Sequence, residues 1–199
     1  EPPPPPQVDR PERFDREYPV DQDYSVKATE VVQGEKTAEA PDSRTIVSTY
    51  GRLERSRKLE KDLSRFPQFS TNGLTIYEAA YNMALEEALL DIRSDGAFMA
   101  GKEWNGVWTR DISYSIHLSL AHILPEASKT SLRAKVNEYG EVIQDTGTGG
   151  SWPISTDRVT WALAAWEVYR ATGDTEWLNY LYSTLKNTME RDAANAFDK

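Results

Sequence analysis

The chain has 199 residues, with 23 Lys and Arg against 32 Asp and Glu, and a formal net charge of −9. This acidic balance argues against nucleic-acid binding, because phosphate recognition needs a basic surface. No apolar run approaches the ~20 residues that span a bilayer, so the sequence predicts no membrane span. The absence of cysteine excludes disulfides, thiolate nucleophiles and cysteine-ligated zinc.

The first part of the chain differs in composition from the rest. Eight of the eleven prolines lie at or before Pro41, among many charges and few large apolar residues. A proline run favours polyproline II and cannot build a core, so we predict an extended arm or linker over residues 1–43. Residues 44–72 are predicted to be a lead-in segment. Within it, 45–50 is a candidate strand, and 51–66 has helical propensity with a thin apolar stripe.

From Ser70 onward, apolar residues recur at helical spacing and predict five helices. We expect them over residues 74–92, 109–124, 126–143, 157–172 and 174–192. The second and fourth are apolar around most of their circumference, which predicts burial on most sides. The third and fifth are apolar along one side only. This alternation describes an inner and an outer ring of helices, and the fold class that it predicts is all-α.

Five helices cannot close such a ring, because the inner helices would lack partners on one flank. We therefore expect the chain to be the first part of a larger barrel. The alternative is a self-contained helical-repeat array, whose units stack without closing. The absence of obvious repeated positions in the predicted helix pairs argues against that alternative.

Two loops rich in Gly and Trp precede the predicted inner helices and hold the candidate binding residues. These residues are Trp104, Trp108, Arg110 and Asp111 in the first loop, and Trp152, Asp157 and Arg158 in the second. Tryptophan stacks on the apolar faces of sugar rings, while Arg and Asp together offer donors and acceptors to vicinal hydroxyls. The pattern predicts carbohydrate binding. The structural alternative is an Asp that complements the helix dipole and an Arg that forms a local salt bridge.

The remaining candidate groups favour no cofactor. His117 and His122 lie five positions apart, about 140° around an α-helix, so we expect them to be core or interface histidines rather than ligands of one metal. The glycines after Asp145 lack the Lys-Ser/Thr of a phosphate-binding loop. Trp161 and Trp166 lie inside the fourth helix and are predicted to be core. We therefore expect no metal and no organic cofactor.

Two segments of the chain resemble a known enzyme family. GVWTRDISYSIHLSLA (106–121) and STDRVTWALAAWEVYRATGDTEWL (155–178) are similar to the six-hairpin glycosidases, the (α/α)₆-barrel superfamily of glucoamylases, glycogen-debranching-type enzymes and α-L-rhamnosidases. The resemblance covers roughly residues 74–192. It implies an incomplete (α/α)₆ toroid over residues 73–199 that continues beyond Lys199, with the Pro-rich arm before it.

The resemblance also implies an activity and a site. It predicts an exo-acting glycoside hydrolase whose pocket lies at the N-terminal ends of the inner helices. Arg110 and Asp111 would hold the hydroxyls of the sugar that is cleaved, with Trp108 beside them. Asp157 and Arg158 match a second sugar-binding position less closely. The general acid and base of the family would fall after Lys199, so this chain would supply only the substrate-gripping part.

Two alternatives remain open at this stage. One is a sugar epimerase or polysaccharide lyase on the same toroid, in which His117 abstracts a proton. The other is a helical module that binds carbohydrate, or acts as a scaffold, without catalysis. The expected partners are a carbohydrate and the remainder of the barrel as a further segment or chain, with no nucleic acid. The Pro-rich tether and the substrate class predict a periplasmic, cell-surface or secreted protein.

Overall fold

The computed structural model describes residues 24–51, 55–143 and 157–196. The chain divides into two compact units, each with its own core. The first unit combines the chain up to Lys58 with Ser70–Ala80, and the second combines Leu59–Phe69 with the chain from Tyr81 onward.

A five-stranded antiparallel sheet makes up most of the first unit. The strands pair in chain order: β1 (Tyr24–Val26), β2 (Glu30–Gln33), β3 (Lys36–Asp42), β4 (Thr45–Ser48) and β5 (Arg55–Lys58). Gly34, with φ of 59°, makes the tight turn between β2 and β3, a conformation that glycine adopts without strain. Pro41 lies in the central strand β3, where the register with β4 shifts between Glu39 and Asp42. Such an irregularity is where a strand tolerates a residue without an N–H donor.

The first helix begins against this sheet. Helix α1 spans Thr75–Leu90, and its early residues Ile76 and Ala79 are buried with Ala40 of β3. The Ile76 N–H donates to the Ala28 carbonyl at 3.1 Å. Just before the helix, the Thr71 backbone N–H and hydroxyl both donate to Glu78, which lowers the pKa of that carboxyl. These bonds fix the entry into α1.

Helices make up the second unit. They are α2 (Thr109–Ser115), a π-helical turn (Ile116–Leu120), α3 (Ala121–Ile123), α4 (Pro125–Arg133), α5 (Asp157–Thr172) and α6 (Thr175–Ala196), in addition to the later part of α1. Trp161 of α5 and Trp177 of α6 are fully buried at the centre of the core. Their indole N–H groups donate to the carbonyls of Leu132 at 2.9 Å and Ala165 at 2.8 Å. Both aromatic residues are therefore buried without leaving a polar atom unpaired.

The predicted all-α class is wrong, because the chain combines an antiparallel sheet with helices and is not an all-α toroid. Strands β1, β2 and β3 occupy residues that were expected to form an extended arm. Seven of the eight early prolines lie in residues 1–23, outside the described residues. The extended arm predicted from these prolines was continued too far along the chain, to residue 43. The segment that follows carries the β-branched pairs Val31–Val32 and Ile46–Val47, which are typical of strands.

The structure also corrects the bounds and the burial of several predicted helices. The segment 51–66 was expected to have helical character, but its residues 55–58 form β5. The third predicted helix ends at Arg133 rather than near residue 143. The fourth coincides with α5, yet it is not buried on most sides: Val159, Leu163 and Trp166 are exposed. Trp166 is therefore not core, whereas Trp161 is.

A small hairpin follows both α1 and α4 and forms a repeat that the sequence analysis missed. Ile92 bridges Phe98, and 44 positions further along Val136 bridges Val142, both antiparallel. Gly96 and Gly140 hold the two turns with φ of 82° and 73°, where an L side chain would be strained. In the second turn the Asn137 side-chain oxygen accepts from the backbone N–H groups of Tyr139 and Glu141. These turns explain why neither helix continues.

Candidate functional site

A buried threonine, Thr109, fixes the start of α2. Trp108 is the N-cap residue, with φ of −102° and ψ of 128°, and it makes no side-chain cap. Thr109 is fully buried, and its hydroxyl donates to the Ile143 carbonyl at 3.0 Å. The first turn of α2 is therefore held in place while the next residue, Arg110, extends outward with 57% of its side chain exposed.

Two tryptophans lie in the loop that leads into α2. Trp104 and Trp108 contact each other with ring centroids 5.2 Å apart and planes tilted by 54°. Trp104 is 61% exposed. The Trp108 indole packs directly against Gly106, where the Cβ of any larger residue would lie 2.8 Å from Nε1. The pair thus forms an aromatic surface with one open ring.

Arg110 does not pair with its neighbour Asp111 but with Asp157, the first residue of α5. The Arg110 Nε donates to Asp157 Oδ1 at 2.7 Å, and Nη2 lies 2.5 Å from the same oxygen. The Asp157 side chain is only 13% exposed. The ion pair joins the first turns of α2 and α5, so residues from both predicted loops meet in one place. We call Trp104, Trp108, Arg110, Asp111 and Asp157 the Trp–Arg–Asp site.

Asp111 is exposed and makes no ion pair among the described residues. It lines a small cavity of about 60 Å³ together with Asp91, which follows α1 directly. Oδ1 of Asp91 is buried and has no hydrogen-bond partner in the described part of the chain. Burial raises the pKa of Asp91, and the nearby Glu87 carboxylate raises it further. This cavity therefore places a partly buried carboxyl group near an exposed one.

Arg158 lies apart from this site in the structure, and Trp152 cannot be placed. Arg158 is 6% exposed, and its guanidinium pairs with Asp192 of α6, so it serves packing between α5 and α6. The alternative of a local salt bridge with the adjacent Asp157 does not describe Arg158 either, because its partner lies on α6. Trp152 lies outside the described residues.

The histidines are closer together than an α-helix would place them. His117 lies in the π-helical turn Ile116–Leu120 and His122 in α3. Because a π-helical turn holds more residues than an α-helical one, it reduces the angle between positions five apart. Both rings approach Glu167 of α5, His122 Nε2 at 2.8 Å from Oε1 and His117 Nδ1 at 4.0 Å from Oε2. The separation predicted from α-helical geometry was therefore too large.

Glu167 is the residue that sequence reasoning missed. It is 7% exposed, and Arg170 also contacts it at 3.1 Å. The hydrogen bond from His122 lowers the pKa of Glu167, with smaller contributions from Arg170 and His117. A single carboxylate within the apolar run Ala164–Val168 is a signal that could have identified it.

Within the described ranges, no group of three or more His, Asp or Glu side chains is arranged to hold a metal ion. A search of the same residues for a helix with the length and apolar character of a bilayer span found none.

Comparison with known proteins gave no match: no family model, no curated protein and no solved structure is similar to this chain. The predicted membership of the six-hairpin glycosidases is wrong, because the chain is not an all-α toroid. It rested on two short segments, and the five-stranded antiparallel sheet is foreign to the all-α toroid that it implied.

Proposed function

We propose that the chain binds an oligo- or polysaccharide at the Trp–Arg–Asp site and supplies the substrate-gripping part of a glycoside hydrolase. The ion pair between Arg110 and Asp157 carries this proposal, because it joins the first turns of α2 and α5, and the Trp104–Trp108 contact lies in the loop directly before α2. A vicinal diol needs a donor and an acceptor at neighbouring positions. Arg110 supplies the donors, and Asp157 and Asp111 supply the acceptors. Trp104 offers an exposed ring face to the apolar side of a sugar.

Hydrolysis of a glycosidic bond requires one carboxyl group that is protonated and a second that is ionised. Among the described residues, Asp91 and Asp111 line one cavity, and burial raises the pKa of Asp91. The cavity that both line, about 60 Å³, has room for water but not for a sugar ring. The carboxyl groups that act on the bound sugar are therefore expected outside this cavity.

Binding is tested by titrating the protein with a panel of neutral oligosaccharides and following tryptophan fluorescence. Trp104→Ala is expected to weaken binding about three- to ten-fold, because a good aromatic contact contributes ~0.5–1.5 kcal/mol. Arg110→Gln is expected to weaken it about ten-fold or more, since hydrogen bonds to charged groups contribute ~1.5–3 kcal/mol. Trp166→Ala is the matched control, because Trp166 is also exposed but lies on α5 outside the site.

An equal loss of affinity in Trp104→Ala and Trp166→Ala would contradict the assignment of the site. Hydrolysis is tested separately by the release of reducing sugar. Because the proposal assigns only substrate binding to this chain, it is expected to bind oligosaccharide without releasing reducing sugar. Release of reducing sugar by this chain alone would contradict that assignment and show that it carries the acid and base itself.

A further inference from the structure

A second cleft lies in the helical unit, lined by residues outside the Trp–Arg–Asp site. Its volume is about 400 Å³, within the ~300–1,000 Å³ range of small-molecule sites. The lining comes from two parts of the chain, the segment around Phe66 and the stretch from the end of α3 into α4. The lining residues are Arg65, Phe66, Pro67, His122, Ile123, Leu124, Pro125, Glu126 and Ala127. We call it the His122 cleft.

One wall of the His122 cleft is fixed to α1. The Glu86 carboxylate, which is buried, accepts from the backbone N–H groups of Glu60 at 2.7 Å and Lys61 at 2.8 Å. Further along, the Tyr81 hydroxyl donates to the Pro67 carbonyl at 2.8 Å. This segment has little regular secondary structure, so these bonds are what holds Arg65 and Phe66 in place.

The opposite wall presents a histidine whose orientation is set by a buried carboxylate. His122 Nε2 lies 2.8 Å from Glu167 Oε1, and Glu167 is 7% exposed. The low pKa of Glu167 keeps it ionised, so Nε2 carries the shared proton. His122 itself is 55% exposed, and Nδ1 is the ring nitrogen that remains for a ligand. His117 and Arg170 also face Glu167 and balance its charge.

Arg65 and the start of α4 add a positive charge and backbone donors to the lining of the His122 cleft. Arg65 stacks on Phe66, with its guanidinium carbon 4.9 Å from the ring centroid, and makes no ion pair in the described part of the chain. Leu124, the N-cap of α4, provides no side-chain cap, and Pro125 has no N–H. The Ser128 N–H is the first to bond within the turn, to Leu124 at 3.0 Å. Within the described ranges, the backbone donors of Glu126 and Ala127 have no hydrogen-bond partner, as is usual in the first turn of a helix. The Glu126 side chain, 81% exposed, is engaged by Lys129 at 3.0 Å.

We propose that the His122 cleft binds a small organic carboxylate between Arg65, His122 and the first turn of α4. The guanidinium offers a bidentate fork to the carboxylate, and the uncapped helix start favours negative charge. The apolar side chains of Phe66, Pro67, Ile123 and Leu124 provide a surface for the carbon skeleton, which inorganic anions lack. This proposal is independent of the carbohydrate function.

Calorimetric titration of the full chain with benzoate tests the proposal, with benzamide as the uncharged analogue and inorganic phosphate as the anion without a carbon skeleton. Benzoate is expected to bind at least ten-fold more tightly than either, and its affinity is expected to fall with added salt. Arg65→Gln is expected to weaken benzoate at least ten-fold, while Lys186→Gln, an exposed cation outside the cleft, leaves it unchanged.

Proton–carbon NMR of the two imidazole rings locates the site. Benzoate is expected to shift the His122 signals, with a smaller effect on His117. Equal affinity for benzamide, equal affinity for phosphate, or no effect of Arg65→Gln would each overturn the proposal. Arg65 is exposed, so its replacement leaves the fold intact and the result remains interpretable.

Discussion

Gly106 determines where the Trp108 ring can lie. A Cβ at this position would be 2.8 Å from Trp108 Nε1 and 3.0 Å from Cδ1, closer than side chains approach each other. Gly106→Ala is therefore expected to displace the Trp108 indole and to disturb its contact with Trp104. The measurement is the near-ultraviolet circular dichroism of the tryptophans, together with oligosaccharide affinity, which should fall several-fold.

The neighbouring substitution Asn105→Ala is the control for this experiment. It removes an exposed side chain from the same loop but retains the backbone carbonyl that accepts from Arg93 at 2.8 Å. Its dichroism and affinity should match the wild type. Identical spectra for Gly106→Ala and the wild type would contradict the idea that this glycine sets the ring position.

Two tryptophans on α5 differ in burial and allow a matched comparison of stability. Trp161 is fully buried and donates to the Leu132 carbonyl, whereas Trp166 is 49% exposed. Trp161→Ala should lower the free energy of unfolding by ~3–5 kcal/mol, because it leaves a large cavity. Trp166→Ala should change it by no more than about 0.5 kcal/mol, as expected for surface positions. Urea denaturation followed by circular dichroism measures both, and similar losses would contradict the assignment of the core.

At the scale of the element, Asp174 fixes the start of α6 and ties it to α4. Its Oδ1 accepts from the backbone N–H groups of Glu176 at 2.9 Å and Trp177 at 3.0 Å, and its Oδ2 accepts from Lys129 at 2.8 Å. The hydrogen bond from Lys129 and those from the helix lower the pKa of Asp174. Its stabilising effect is therefore complete above the ordinary Asp pKa of ~3.9 and is lost as pH falls through the lower, folded-state value.

Acid titration of stability tests this arrangement. Between about pH 5 and 2 the wild-type protein should lose stability more steeply than Asp174→Asn, because asparagine can cap the helix but carries no titrating charge. Asp174→Ala should be less stable than Asp174→Asn at neutral pH, since it also removes the cap. Parallel pH profiles for the wild type and Asp174→Asn would show that the ion pair with Lys129 contributes nothing measurable.

Elements whose boundaries depend on local residues could be predicted from the sequence. Helix α5 was expected over residues 157–172, where Gly173 with φ of 66° ends it, and it has those bounds. The hairpin after α4 was missed because Leu132, Val136, Tyr139 and Ile143 fit a helical stripe. Only Asn137 and Gly140 indicate the turn. The π-helical turn has no signal in composition or spacing, so the approach of both histidines to Glu167 could not be foreseen.

The sheet was missed for a different reason. The segment Glu30–Lys36 carries paired valines followed by Gly34, which indicates a hairpin, but the prolines before it determined the interpretation. For the candidate site, the sequence analysis named residues that the structure brings together but assigned them the wrong partners. Arg110 and Asp157 were both named, yet each was assigned to its neighbour in sequence. Only the packing of α2 against α5 brings them together, and no local pattern encodes that packing.

At the scale of the whole molecule, the two units have cores of very different size. The described core of the sheet unit contains Ala40, Ile76 and Ala79, with Val31 and Ile46 packed against it. The helical core contains twelve buried residues, including two tryptophans. Because stability follows buried apolar surface, the sheet should open at a lower free energy than the helical unit.

Hydrogen exchange on the full chain, resolved by mass spectrometry, measures this difference directly. Amides of β2, β3 and β4 should exchange through openings of lower free energy than those of α5. Ile46→Ala should accelerate exchange in the strands and leave α5 unchanged, whereas Trp161→Ala should accelerate α5. Two results would contradict this prediction: equal protection of amides in both units, or faster exchange of α5 in Ile46→Ala. Either would mean that the chain unfolds as a single cooperative body, so that the two cores would have to be treated as one.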